Sequence, residues 1–293
     1  MLDLSPEGDL VILGDNADVL PLLPEASFGL IYVDPPFNTG KTQVRKTVRA
    51  TRVSEGEAGG LVGFNAARHR REVVGAMTYD DVFDDYLGFL VPRLQEARRL
   101  LTDDGTLYVH VDPRESHYVK VALDGLFGRE CFLNEVVWAY DFGGRPKTRW
   151  APKHDTILVY VKDPERYFFS FAEVDRVPYM APGLVGPEKA ARGKLPTDVW
   201  WHTIVPTNSR EKTGYPSQKP LGIVRRAVAA SSRPGDRVLD FFAGSGTTGE
   251  AARKLGRRFV LVDSSREAVE VMRRRLGEDG VRYLGADGEG LGR

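Results

Sequence analysis

The segment Arg237-Val238-Leu239-Asp240-Phe241-Phe242-Ala243-Gly244-Ser245-Gly246-Thr247-Thr248 reads as an apolar strand that runs into a glycine turn and then into a helix over 247–255. A second strand follows, Arg258-Phe259-Val260-Leu261-Val262, and it ends at Asp263. An acidic residue thus stands roughly 20 positions past the glycines, where ribose-binding carboxylates lie in nucleotide-binding β-α-β units. A Gly-x-Gly alone carries little weight, and the downstream strand with its terminal aspartate adds to it.

Toward the other end of the chain, Leu30-Ile31-Tyr32-Val33-Asp34-Pro35-Pro36-Phe37-Asn38 has the same grammar. The apolar run with β-branched Ile31 and Val33 predicts a buried parallel strand. Pro35 and Pro36 lack an N–H and cannot continue the ladder. The chain therefore turns at the carboxyl end of a central strand, where open α/β sheets bind ligands. Asp-Pro-Pro is also, taken alone, an ordinary strand-ending turn.

Between these landmarks strands and helices alternate. Strands are expected at 10–13, 106–111, 135–140, 156–162 and 167–171, the last two joined as a hairpin through Asp163-Pro164-Glu165-Arg166. A helical turn is expected at 19–23 after Gly14-Asp15-Asn16, and a helix at 79–101 carrying Pro92. Asp112-Pro113-Arg114-Glu115 has the cap, proline and acid that open a helix ending at Phe127. Pro220 opens a helix over 221–230, and Ser264 or Ser265 caps one ending near Leu276. This alternation argues for an α/β fold with a doubly wound, mostly parallel sheet.

Three motifs then carry a resemblance. Asp34-Pro35-Pro36-Phe37 and Phe242-Ala243-Gly244-Ser245-Gly246 resemble the catalytic and cofactor motifs of the amino-directed DNA methyltransferases, and Tyr215-Pro216-Ser217-Gln218-Lys219-Pro220 resembles the segment that opens the helix before their cofactor strand. The catalytic motif comes first, as in the permuted beta class. The resemblance runs from about Leu10 to Leu284 and is weakest over 41–76 and 174–200. It implies a Rossmann-like sheet of the class I S-adenosylmethionine methyltransferase type in circularly permuted order, with a small target-recognition insertion. Residues 1–140 would form the catalytic half, 141–214 the candidate target-recognition region, and 215–293 the cofactor-binding half of the same domain.

Composition narrows the field in other ways. The 293 residues can bury a large core, and 41 basic against 41 acidic residues give no overall charge argument for a nucleic-acid partner. Cys131, the one cysteine, precludes an internal disulfide and reads as a small buried hydrophobe in a reducing compartment. The histidines are scattered without a pair at i, i+4, so no linear metal motif is present, and His110, on an alternating strand, reads as a satisfied structural histidine. No apolar run reaches membrane length and no basic leader precedes one, so a cytoplasmic location is expected. Residues 41–76, with Lys41, Arg45, Lys46, Arg49 and Arg52 before any acid and Arg68-His69-Arg70-Arg71 later, read as a long loop, either a solvated mobile insertion or, as its start beside Asp-Pro-Pro favours, a segment that meets DNA phosphates.

The residue types suit the implied chemistry. An exocyclic base amine is a weak nucleophile because its lone pair is delocalised into the ring. Asp34 and the carbonyl held by Pro35 would accept its hydrogens, with Pro36 fixing the turn and Phe37 stacking on a base flipped from duplex DNA. The resemblance implies S-adenosyl-L-methionine as cofactor, held by Asp15, Asp34, Lys219, Asp240, Phe242, Gly244, Ser245, Gly246, Thr247, Thr248 and Asp263. Among these, Asp263 would serve the ribose hydroxyls, Asp15 the adenine ring, and Asp240 and Lys219 the methionine end. Asp240 as a plain strand end and Lys219 as a surface lysine are the alternatives.

By the same resemblance, aspartate at position 34 implies N6 of adenine as the target, with N4 of cytosine as the runner-up. Gly40-Lys41-Thr42 ends like a phosphate-binding loop, but Pro35 stands where that loop needs glycine. A nicotinamide-dependent oxidoreductase would leave Asp-Pro-Pro-Phe and Gln-Lys-Pro unexplained, and a non-catalytic DNA-binding protein would not need every chemical position intact. Neither a homodimer nor a cognate restriction endonuclease can be inferred from the chain.

Overall fold

The computed structural model describes residues 2, 4, 8–40, 43–52, 61–62, 68–79 and 81–292, of which 43–52, 61–62 and 68–79 are described as backbone. The chain forms two compact units, Met1–Phe37 with Asp85–Arg293, and Asn38–Asp84.

In chain order the elements are β1 (Asp9–Leu13), α1 (Asn16–Val19), β2 (Phe28–Val33), β3 (Gln43–Arg52), β4 (Leu61–Val62), β5 (Arg68–Tyr79), α2 (Tyr86–Leu100), β6 (Leu101–Val111) and α3 (Ser116–Phe127). They continue as β7 (Phe132–Ala139), β8 (His154–Val161), α4 (Pro187–Arg192), β9 (Val199–Trp201), α5 (Leu221–Ser231), β10 (Arg237–Asp240), α6 (Thr247–Lys254), β11 (Arg258–Asp263), α7 (Arg266–Leu276) and β12 (Val281–Gly285).

The larger unit holds one sheet in the order β12-β1-β11-β10-β2-β6-β8-β7-β9. Every neighbouring pair from β12 to β6 is parallel, β8 runs antiparallel to β6 and β7, and β9 joins β7 in parallel. This is the mostly parallel α/β sheet that the alternation predicts. Its central strands read as unbroken apolar runs because both faces are covered: Val11, Ile12, Leu30, Ile31, Val33, Leu239 and Leu261 are fully buried. The pairing that matters most is β2 with β10, through Leu30↔Val238 and Ile31↔Leu239, because it brings two motifs from opposite ends of the chain to neighbouring strand ends. Helix α5 packs on β2 with Ile223, Val224, Ala227 and Val228 inward, and so fixes the segment just before it beside the end of β2.

Several elements depart from the sequence reading. The helix expected over 79–101 starts only at Tyr86, where the Asp85 carboxylate accepts the Gly88 N–H at 2.8 Å, and Pro92 lies within it. Tyr79 instead ends β5. Asp112-Pro113-Arg114-Glu115 forms a turn ahead of α3, because the Asp112 carboxylate is taken by the Arg114 N–H at 2.9 Å and its guanidinium at 2.7 Å. Residues 167–171 form no strand: both edges of β8 are already paired, and the Phe168 and Ser170 N–H groups donate to the Asp104 and Ala230 carbonyls instead.

The smaller unit corrects the expectation of a loop over 41–76. Its backbone carries a three-stranded antiparallel sheet, β3-β5-β4, with β3 and β5 paired from Gln43↔Tyr79 to Arg52↔His69 across one register shift between Thr47 and Val48. The Val and Thr residues threaded among the cations favour such a ladder, which satisfies the backbone polar groups. The basic side chains of 41–76 lie outside the described residues. Among the described residues no helix is long and apolar enough to cross a membrane. Cys131 is buried and free, as expected of a small core residue.

Candidate active site

The site grows from the carboxyl ends of β2, β10 and β11, where strand ladders stop and side chains turn toward a shared crevice. Asp34 follows β2, with its side chain 15% exposed. Its Oδ2 accepts the Lys219 ammonium at 2.6 Å, and its Oδ1 is buried with no hydrogen-bond partner among the described residues. Lys219 stands at the entrance of α5, and its Nζ also lies 4.5 Å from the centroid of the Phe37 ring.

Asp240 ends β10 and is buried, accepting the Phe242 N–H at 3.0 Å and the Thr248 hydroxyl at 2.6 Å. Burial pushes its carboxyl up to about 7, and the charges of Asp34 and Asp263 add to the rise against those two hydrogen bonds. Asp263 ends β11 and accepts the Gly244 N–H at 2.7 Å and the Ser265 N–H at 2.9 Å. Its carboxyl too is pushed up by burial, with those two N–H groups pulling the other way.

The glycine turn between β10 and α6 requires its glycines. Gly244 has φ +48°, and a Cβ there would meet the Tyr215 ring at 3.0 Å; Gly246 has φ +73°, and a Cβ there would meet Met272 at 2.8 Å. Tyr215 therefore closes over the turn from the same segment that supplies Lys219. Gln218 shapes that segment by accepting the Thr213 N–H at 2.8 Å and donating to the Glu211 carbonyl at 2.6 Å. Ser245, Thr247 and Thr248 are buried, and their hydroxyls are used inside the protein. The Thr247 hydroxyl donates to the Lys219 carbonyl at 3.3 Å and accepts from Arg275 at 2.8 Å, while Thr248 holds Asp240.

Phe242 packs 6.0 Å from Phe89. Asp15 caps α1 by accepting the Ala17 N–H at 2.8 Å and pairs with Arg93 at 3.1 Å. Its neighbour Asn16 donates to the Phe241 carbonyl at 2.7 Å, which ties this loop to the end of β10. The residues named from the sequence stand at or beside the carboxyl ends of β1, β2, β10 and β11, and the sequence did not disclose their pairing.

It also missed a supporting wall. Fully buried His110 sits between the Tyr32 hydroxyl, 2.9 Å from Nδ1, and Asp155, 3.1 Å from Nε2, while the Tyr140 hydroxyl donates to Asp155 at 3.0 Å. Its ring stands 5.8 Å from Phe37 and 5.5 Å from Trp138. Burial works against the Asp155 carboxylate, yet the His110 hydrogen bond and charge, with Lys219, hold its pKa below the ordinary carboxylate range. His110 is satisfied, as its alternating strand suggested, and it also flanks Phe37 in the Asp34-Pro35-Pro36-Phe37 turn. Only its polar character at an inward position hinted at that second part. Among the described residues no three His, Cys, Asp or Glu side chains converge as metal ligands.

What the crevice can hold follows from its charge. The charges of Asp34 and Asp263 both act on Asp240, and Lys219 brings one ammonium against Asp34. Such a field favours a cationic guest, and the Asp34 Oδ1 that lacks a partner favours a hydrogen-bond donor.

Residues 28–274 match the DNA methylase family. The chain is 28% identical over 267 residues to Type II methyltransferase M.HpaI of Haemophilus parainfluenzae, covering 91% of this chain and 73% of that protein. It is 28% identical over 283 residues to DNA adenine methyltransferase YhdJ of Escherichia coli strain K12, covering 92% and 83%. The crystal structure of the M1.HpyAVI–SAM complex superposes with a TM-score of 0.57 at 17% identity over 92% of this chain and 99% of that one. The cytosine-N4-specific PvuII DNA methyltransferase superposes with a TM-score of 0.60 at 14% identity over 97% and 99%.

Proposed function

We propose, from the premise that this chain belongs to the DNA methylase family of N6 and N4 amine methyltransferases, that it methylates the N6 amine of adenine in duplex DNA at a specific site. That it is an S-adenosylmethionine-dependent DNA methyltransferase follows from the family and its named relatives. The observation that carries the finer reading is the part-buried Asp34 carboxylate, one oxygen on Lys219 and the other without a hydrogen-bond partner among the described residues, beside the Phe37 ring.

A carboxylate in this position accepts hydrogen from an exocyclic amine and draws its lone pair out of conjugation with the ring. The Pro35 carbonyl, fixed by proline geometry, would take the second hydrogen. Phe37 would stack on the base, which must leave the duplex for its amine to line up with a methyl donor. When bound, S-adenosylmethionine supplies a methyl group on a sulfonium, an already activated leaving group. The charge of the crevice suits that cation. The turn at Gly244 and Gly246, Asp263 and Phe242 would hold it, with Asp15 toward the adenine ring, while buried Ser245, Thr247 and Thr248 would keep the turn in shape.

Residues 141–214 would supply target recognition, and the exposure of Phe142, Trp150 and Trp201 there supports that role, since aromatic faces in solvent are the kind that meet bases. A cytoplasmic setting with access to the chromosome belongs to the same reading.

Adenine is favoured over cytosine because the acidic residue before Pro-Pro resembles the adenine enzymes, and one relative is named an adenine methyltransferase. N4 of cytosine is the second reading, and a structural neighbour is of that type. Expression in a methylation-free host, with mass spectrometry of the digested DNA, decides between them. N6-methyladenine is expected, and N4-methylcytosine alone would overturn the adenine assignment.

A further inference from the structure

A buried carboxylate is costly unless a donor compensates it. In this crevice Lys219 does so, with its side chain 12% exposed and its ammonium 2.6 Å from Asp34 Oδ2. The same ammonium stands over the Phe37 ring at 4.5 Å from the centroid. A base whose amine is accepted by Asp34 and whose ring stacks on Phe37 would need both of those contacts. His110 flanks the Phe37 ring at 5.8 Å and is held by Tyr32 and Asp155, so that side cannot yield. Lys219, on a flexible four-carbon stem, can.

We propose, resting on the function given above, that the Lys219 ammonium holds the seat of the target amine until a base displaces it, which makes Lys219 a positioning and selection residue. Without DNA it keeps Asp34 compensated and aimed. An arriving amine replaces the ammonium on Oδ2 and over Phe37, and Oδ1, buried and without a hydrogen-bond partner among the described residues, leaves the carboxylate with an acceptor still to satisfy. Only a base that brings a donor can make up for the broken ion pair. Thymine presents a carbonyl at the equivalent position and leaves the carboxylate unsatisfied, so the lysine stays.

The test reads binding, because loss of the ammonium also changes the field on Asp34 during turnover. Two duplexes carry the methylation site mapped from host DNA, one with the target adenine and one abasic at that position, and both are titrated with sinefungin, a non-reactive analogue, in the cofactor site. Lys219→Met is expected to raise the preference for adenine over the abasic duplex by about tenfold, the scale of one exchanged charged hydrogen bond. Lys219→Arg, which keeps a cation able to pair with Asp34 and cover Phe37, is expected to leave that preference at or below the wild-type value. Melting curves report whether each variant is folded. If Lys219→Met weakens both duplexes alike, or weakens the adenine duplex selectively, Lys219 is a structural or base-holding residue and the proposal falls. Absence of any modified base in the host DNA would instead overturn the methyltransferase reading itself.

Discussion

Asp240 sits inside the protein with both carboxylate oxygens engaged, by the Phe242 N–H and the Thr248 hydroxyl, so its work is to tie the end of β10 to the first turn of α6. Burial, with Asp34 and Asp263 nearby, raises its carboxyl to about 7. The unfolded chain gives up that proton near pH 4, so between about pH 4 and 7 the native state binds more protons than the unfolded one. Its contribution to stability is therefore fully present below pH 4, is lost as pH climbs to 7, and changes little above. Urea denaturation from pH 5 to 8 should show the wild type losing stability more steeply with rising pH than Asp240→Asn, and parallel curves would exclude the titration. Asp34 answers to a different measurement. Asp34→Asn should fold normally and lower turnover by roughly 100-fold to 10,000-fold, the scale of a lost acceptor acting on the reacting group. Near-wild-type turnover would remove Asp34 from the chemistry. Both aspartates were legible because each ends an apolar run. Their interaction with each other, and the Lys219 pair, were not.

The element that organises the site is β10, its glycine turn and α6. Gly244 combines φ +48° with a Tyr215 ring that would lie 3.0 Å from an added Cβ, whereas Gly235, at φ +90°, has open space around it. Gly244→Ala should cost about 1–2 kcal/mol in backbone strain alone and should also push Tyr215 and weaken cofactor binding. Gly235→Ala should show the backbone cost without the loss of affinity, and calorimetry with S-adenosylmethionine separates the two. This β-α-β unit was readable because strand, turn and helix each leave a local signature. The start of α2 and the fate of 167–171 were not, since a helix cap at Asp85 and the double pairing of β8 compete with periodicity and only one of those competitors is local. The β3-β5-β4 ladder escaped for a related reason: its cations masked the Val and Thr that favour a strand.

At the scale of the whole molecule, a neutral chain must bind a polyanion through where its charges stand. Replacing Arg45, Lys46 and Arg49 with alanine should weaken DNA binding across sequences and flatten the slope of log affinity against log salt by up to about 0.9 per lost phosphate contact. An unchanged slope would make 41–76 a bystander. Trp150→Ala with Trp201→Ala, both exposed in 141–214, should instead lower affinity for the methylation site with little change in melting temperature or cofactor binding; equal losses on unrelated DNA would argue against a recognition role. The sequence by itself determined the alternation of strands and helices, the glycine turn and the Asp-Pro-Pro turn, because each depends on residues within a few positions of one another. Only the tertiary structure decided that β2 lies against β10, that Lys219 closes on Asp34, and that His110 braces Phe37. Those facts depend on which strands pair and in what register, and that is settled by packing over the whole sheet and not by any one segment.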